Sequence, residues 1–264
     1  MKRRLIILAC ACLVLTAGTV TGQQLRPLGE LIDPFEAGWK MIMQWSAAAT
    51  NKIQVLPKDN LKADDALYES QLSTATPIGA MIYGCGGILV DHGWIRILGS
   101  GHPLIDRSLP EWNKGKAFKE FGEEPSMLLI ADDALGGFFA INAGGIEPEG
   151  MGDVYYYGPN KLKWESIGLN YSNFIVFCFS GNIEKFYQGF RWKGWENEVS
   201  KMSGNDVITC YPLLWTNGSI SYANSHKVVT VEKQWALYHD QKFAVAHKKP
   251  VKKKSTKKKP IKKK

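Results

Sequence analysis

Apolar positions recur along this chain with two different periods, and the change of period divides it into elements. Phe35, Trp39, Ile42, Ser46 and Ala49 follow one another at steps of three and four, the spacing that gathers side chains on one helical face. Asp33-Pro34 ahead of them reads as an N-cap followed by proline at the first helical position, and Met41, Met43 and Trp45 broaden the apolar face. A short strand, Ile53 to Leu56, stops at Pro57. Asn60 can cap a second helix, with Leu61, Ala66, Leu67 and Leu72 as its apolar members.

The middle of the chain is strand-rich. Ile78 to Tyr83, Gly87 to Val90 and Trp94 to Leu98 read as three strands separated by glycine and Asp-His-Gly turns. Met127 to Ala131 and Gly137 to Asn142 flank the hairpin turn Asp132-Asp133-Ala134-Leu135-Gly136. Asp153 to Tyr157, the turn Gly158-Pro159-Asn160 and Leu162 to Glu165 form a second hairpin. Helices are expected again over Asn173 to Phe179 (capped by Ser172), Ile183 to Tyr187 and Glu196 to Met202. Two late strands, Val207 to Tyr211 and Val228 to Val231, precede a last helix from Glu232 to His239. Helices first, strands in the middle and helices after them predict one α+β domain, residues 23–247, with a central, mainly antiparallel sheet flanked by helices.

Both ends depart from these patterns. Lys2-Arg3-Arg4 precedes an apolar run from Leu5 to Val20, and Val20-Thr21-Gly22 fits a cleavage site before Gln23. That run is shorter than the ~20 residues a membrane-crossing helix needs. Residues 1–22 are therefore expected to be a signal peptide, the protein to be exported to the periplasm or beyond, and the mature chain to have no transmembrane span. Residues Lys248 to Lys264 hold 11 lysines, two prolines and no acid, a composition for an extended, disordered tail. Such a tail suits an anionic envelope polymer, a lipid surface or nucleic acid.

Charge changes the picture once the ends are set apart. The 264 residues carry 33 Lys and Arg against 25 Asp and Glu, a net +8. Without the three cations at the start and the 11 lysines at the end, 19 cations face the same 25 acids, and the body carries about −6. A basic folded domain is excluded. So is a wholly disordered chain, since 45% of residues are hydrophobic and 11% aromatic. Of five cysteines, Cys10 and Cys12 lie in the signal segment. Cys85, Cys178 and Cys210 remain, either as buried small apolar residues or with one bridge among them.

Several motifs invite a chemical reading. Asp91-His92-Gly93-Trp94 is the most enzyme-like, because a neighbouring carboxylate can tune an imidazole toward general-base work; His102, Asp106 and Arg107 follow soon after. No G-x-S-x-G nucleophile elbow accompanies it, and adjacent residues of a strand point to opposite faces, so a turn is the simpler reading. Asp132-Asp133 with Glu147 and Glu149 could gather a cation, but two acids before Ala-Leu-Gly-Gly more often shape a hairpin. His92, His102, His226, His239 and His247 show no paired zinc spacing, and the cluster Gly84, Gly86, Gly87, Gly99 and Gly101 lacks the Lys-Ser/Thr of a phosphate loop. No metal or cofactor is implied. Arg191-Trp192-Lys193-Gly194-Trp195 sets aromatics among cations; exposed, Trp192 and Trp195 would anchor a partner or a sugar, and buried they would close the core.

Three stretches resemble a known family. They are GGILVDHGWIRILGSGHP (residues 86–103) with SLPEWN (108–113); LLIADDALGGFFAIN (128–142) with GDVYYY (152–157) and LKWE (162–165); and FYQGFRWKGWE (186–196). Together they are similar to a bacterial family known as domain of unknown function 2625, over about Leu28 to Leu237. More distantly, Asp132-Asp133, Gly136-Gly137, Asp153-Val154-Tyr155, Trp164 and Phe174 resemble the order of motifs in the SUKH superfamily. That resemblance implies an α+β fold and, since many bacterial members are immunity proteins that bind toxins, recognition of a protein. Export would move such a role to the periplasm. The lysine tail is no part of either pattern, and neither supplies catalytic residues.

The expected function is therefore non-catalytic binding of another protein. The candidate binding residues are Asp91, His92, Trp94, Arg96, His102, Arg107, Asp132, Asp133, Trp192 and Trp195. An envelope or glycan-binding module and a hydrolase around His92 and His102 are the alternatives. An acidic, mostly polar groove would favour a basic protein partner, a row of exposed tryptophans a glycan, and His92, His102 and an acid in one cleft an enzyme.

Overall fold

Seven strands lie side by side in one antiparallel sheet, in the order in which they occur in the chain. The computed structural model describes residues 25–217 and 225–239. The expected signal peptide, 1–22, and the expected tail, 248–264, lie outside the described residues. The strands are β1 (Ile53–Leu56), β2 (Gly87–Val90), β3 (Ile95–Leu98), β4 (Met127–Asp133), β5 (Phe138–Asn142), β6 (Asp153–Tyr157) and β7 (Trp164–Asn170). A separate two-stranded sheet pairs β8 (Asp206–Cys210) with β9 (His226–Thr230). The helices are α1 (Leu28–Leu31), α2 (Ala37–Ala47), α3 (Asn60–Ser70), α4 (Pro77–Gly84), α5 (Leu109–Asn113), α6 (Tyr171–Ser180), α7 (Ile183–Phe186), α8 (Trp195–Val199), α9 (Leu214–Asn217) and α10 (Val231–His239). The architecture is the expected α+β domain with a central antiparallel sheet flanked by helices.

Register decides which side chains share a face. Gln54, Leu89, Arg96, Asp132, Phe138, Tyr157 and Trp164 form one continuous cross-strand row. Their neighbours in sequence point the other way. Both faces are covered. Phe138 meets Trp112 of α5 and Trp235 and Tyr238 of α10, while Phe139 meets Phe174 of α6 and Phe186 of α7. The sheet is thus the middle layer of three, and its inner strands β2 to β6 are mostly buried on both faces, whereas the edge strands β1 and β7 alternate with exposed positions.

The largest departure from the sequence expectation is the segment Ile78 to Tyr83, which is helix α4 rather than a strand. A wholly apolar run carries no period, so length and flanks have to decide. Here the flank is Thr76-Pro77: the Thr76 hydroxyl accepts the Gly79 N–H at 3.2 Å and proline occupies the first turn. α4 packs so closely on α2 that a Cβ at Gly84 would enter the Trp39 ring.

Three helix starts also move. α2 begins at Ala37, because the Asp33 carboxylate accepts the N–H groups of Phe35 (3.2 Å) and Ala37 (2.8 Å) and Glu36 turns left-handed at φ 53°. Phe35, expected on the buried face, is 76% exposed. α3 is capped by Asp59, which accepts Leu61 and Lys62 N–H, and Leu61 points to solvent while Ala63, Ala66 and Leu67 are buried. α6 is capped by Asn170 rather than Ser172. Asp132 and Asp133, expected in a hairpin turn, belong to the end of β4, because the strand keeps pairing with β3 through both residues. All three cysteines of the body are free. Among the described residues, no helix is long and apolar enough to cross a membrane.

Candidate functional site

Asp132 and Asp133 both lie fully buried, on opposite faces. On the α5/α10 side, Asp132 Oδ1 stands 3.2 Å from Arg96 Nη1 and Asp132 Oδ2 stands 2.6 Å from Arg107 Nη2. The two arginines reach further to the segment before β8: Arg96 Nη2 donates to the Asp206 carbonyl (2.8 Å), Arg107 Nη2 to the Gly204 carbonyl (2.9 Å) and Arg107 Nε to Asn205 Oδ1 (3.3 Å). Burial pushes the Asp132 carboxyl up, against the pull of Arg107 and Arg96. On the other face Asp133 Oδ2 accepts the hydroxyls of Tyr156 (2.7 Å) and Tyr187 (3.1 Å), and Oδ1 accepts Leu135 and Gly137 N–H at 2.9 Å each. Burial and the Asp133 charge hold both phenols well above their ordinary value, so they stay protonated as donors. Facing apart, the two carboxylates cannot chelate one cation together. Glu147 and Glu149 instead offer backbone carbonyls to Asn142 Nδ2.

The Asp91-His92-Gly93 stretch is the β2–β3 turn. Gly93 N–H closes onto the Val90 carbonyl (3.1 Å), and all three residues are left-handed, with φ of 50°, 62° and 85°. Asp91 pairs with Arg191, Oδ2 to Nη2 at 2.6 Å, and Glu184 takes Arg191 Nη1 at 3.1 Å. The guanidinium lies over Trp195 (4.1 Å), Trp94 (4.8 Å) and Tyr187 (5.4 Å). Trp94 is the centre of this cluster, with Tyr187, Trp192 and Trp195 rings 4.9–5.9 Å away. Arg191, which the sequence placed among the aromatics of FRWKGW but not among the candidate binding residues, is the cation that joins them.

The ten candidate residues thus divide into groups. Arg96, Arg107 and Asp132 form one buried ionic cluster; Asp133 anchors the opposite face; Asp91, Trp94 and Trp195 join Arg191; and Trp192 donates to Glu198 at 3.1 Å. His92 sits edge-on to Trp195 and lines a cleft. His102 stays in its own loop, where Nδ1 accepts Leu104 N–H at 3.1 Å, and it does not line the cleft beside His92. None of the nine tryptophans is exposed. Cys85 and Cys178 are buried, and burial pushes their thiols up, Cys85 to about 12. Half-buried Cys210 is pushed up to about 11.

Concave surfaces lie beside these clusters. A polar groove of about 370 Å³ runs between α3, the loop after β3 and α5. It sets Asp65, Glu69, Asp106 and Glu111 against Lys62, with Arg107 at its base. Glu69 shows the crowding of charge: burial, then Glu111 and Asp65, push its carboxyl up. Glu111 closes a capping box with Ser108, which fixes that wall. Past Arg107 the groove opens into a second hollow of about 370 Å³, where Glu232 pairs with Lys116 at 3.0 Å. Another concavity, a cleft of about 190 Å³, lies beside His92 and is lined by Lys52, Leu89, Arg96 and Met202 among others.

Comparison with known proteins adds kinship to this geometry. An uncharacterised protein of Haemophilus influenzae is 40% identical over 188 residues, covering 71% of this chain and 82% of that protein. The putative uncharacterised protein YbfG of Escherichia coli is 36% identical over 218 residues, covering 83% of this chain and 98% of that protein. No solved structure gives a significant match. The model of one family matches residues 28–234, a span that takes in the sheet, both charge clusters and the groove, and the chain belongs to that family, Protein of unknown function DUF2625.

Proposed function

We propose that the folded body binds another protein without catalysis, and that it does so by seating a basic segment in the groove between α3 and α5. The observation that carries this reading is the groove's charge: four carboxylates around one exposed ammonium, in a largely polar concavity. Complementary charge of that kind steers encounter and selects partners. The resemblance to the SUKH superfamily supports the same class of role, with an immunity-like partner as the finer reading. A glycan module is less well supported, because sugar stacking needs exposed rings and every tryptophan here is at least half-buried. A hydrolase around His92 and His102 is less well supported too, because each imidazole serves a different loop. In this reading the protein is exported, and residues 248–264 tether it to an anionic surface while the body recognises.

Three forms of the chain test it, each immobilised and exposed to envelope extract: unaltered; carrying Asp65→Asn, Glu69→Gln and Asp106→Asn; and ending at His247. The expected result is a captured protein that the shortened chain retains, the neutralised groove loses, and added salt weakens. Loss of all capture on removing the tail, or capture indifferent to the groove substitutions, would overturn the proposal.

A further inference from the structure

The cleft beside His92 runs against the charge of the body. Its walls contain no aspartate or glutamate, yet they include Lys52, His92 and Arg96. Register explains the floor: Gln54, Leu89 and Arg96 are successive members of one cross-strand row, so an amide, an apolar branch and a guanidinium share the surface. Lys52 Nζ stands 3.5 Å from His92 Nδ1. With the ammonium donating to Nδ1, the imidazole proton sits on Nε2, and that N–H is the donor left over. Among the described residues Lys52 makes no ion pair with a carboxylate.

Arg96 supplies the observation that points to a ligand. It is 1% exposed, its Nη atoms serve Asp132 and the Asp206 carbonyl, and its buried Nε–H has no acceptor. Asp132 is shared by two guanidiniums. Arg107 also feels Glu232 across the second hollow. Two buried guanidiniums sharing one carboxylate leave positive charge behind an acid-free cleft, and an anion in the cleft offsets it. The turn that presents His92 is built from two non-glycine residues in the left-handed region, a conformation that accumulates at functional positions. Leu89, Leu104, Val199 and Met202 make most of the remaining wall, beside Ser200.

We infer that this cleft binds a small carboxylate bearing a short apolar tail, the carboxylate held by Lys52 and His92 in the field of the buried Arg96 guanidinium and the tail laid on Leu89, Val199 and Met202. The volume sets the scale, since about 190 Å³ is below that of sites for drug-sized ligands and suits a molecule of a few carbon atoms. The site is independent of the groove and of the protein-binding proposal.

Titrating the isotopically labelled full chain with sodium hexanoate, hexanol and inorganic phosphate, and following amide resonances by NMR, tests the assignment. Resolution by residue is needed because the tail lysines also attract anions. Hexanoate should give saturable shifts centred on Lys52, Gly93 and Met202, with an affinity about tenfold above that of hexanol. Lys52→Gln, on an exposed lysine, and His92→Asn, which tolerates the left-handed turn, should each bring hexanoate down toward hexanol. Equal affinity for hexanol and hexanoate, phosphate binding as tightly as hexanoate, unchanged binding in both variants, or no saturable shift at these residues would each overturn it.

Discussion

Asp132 and Asp133 are neighbours in sequence and hold opposite faces of the same sheet: Asp132 binds two guanidiniums, and Asp133 binds two phenols and two backbone N–H groups. The chemistry on each side sets the cost of losing the charge. Asp132→Asn leaves Arg96 and Arg107 buried without a counter-ion, which should cost about 3–5 kcal/mol. Asp133→Asn keeps an acceptor for the turn and an amide that the tyrosine oxygens can receive, so its cost should be about 1–2 kcal/mol. Urea unfolding of the two variants measures the difference, and equal midpoints would contradict this division of labour.

Arg191 should resist conservative replacement. Its planar fork reaches Asp91 and Glu184 while its face lies on Trp195 and Trp94. A lysine offers one point charge and no face to stack. Arg191→Lys is expected to destabilise by about 1–2 kcal/mol and to alter the near-ultraviolet circular dichroism of the tryptophan cluster. An unchanged spectrum and midpoint would show that the stacking contributes nothing.

The groove carries a pH signature. Burial, Glu111 and Asp65 raise the Glu69 carboxyl in the folded state above its unfolded value. A raised acid favours the protonated fold, so stability falls as pH climbs through the folded value and the ionised carboxylate costs stability at neutral pH. Glu69→Gln should therefore be more stable than the unaltered protein at pH 7 and lose that advantage in acid. Thermal unfolding at the two pH values checks the sign; a variant destabilised at neutral pH would reverse it.

The thiols should differ in reactivity. Cys85 and Cys178 are buried with their thiolates strongly disfavoured, whereas Cys210 is half-buried. A thiol reagent at mild pH should modify Cys210 first, and the other two only on unfolding. Mass mapping of the labelled peptides reads this directly, and early labelling of Cys178 would contradict its burial.

Most of the sheet was legible in the sequence, because alternation and turn residues are local signals. Ile53–Leu56, Gly87–Val90 and Asp153–Tyr157 fall where periodicity put them. Helix α4 was hidden by its uniform apolarity, although Thr76-Pro77 announced it. Asp132 was named as a candidate, but its partners were not legible: Arg96 is 36 residues away and meets it only through the β3–β4 register. Lys52 carried no signal at all, since a lone lysine before a strand looks like ordinary surface. What joins it to His92 is the pairing of β1 with β2, a relationship that no local pattern encodes.

Because strand order equals chain order, the sheet can grow by adding one edge at a time, with each strand already beside its predecessor. The carbonyls and side chain that cap Arg96 and Arg107 arrive from Gly204, Asn205 and Asp206, separations of 97 to 110 residues. Until that segment closes, Arg96, Arg107 and Asp132 remain wet, and wet ion pairs contribute little. The cluster therefore ties β3 and β4 to the far end of the domain: its full energetic weight depends on the segment before β8, and a chain cut short there would lose both these caps and α10, which covers the same face of the sheet.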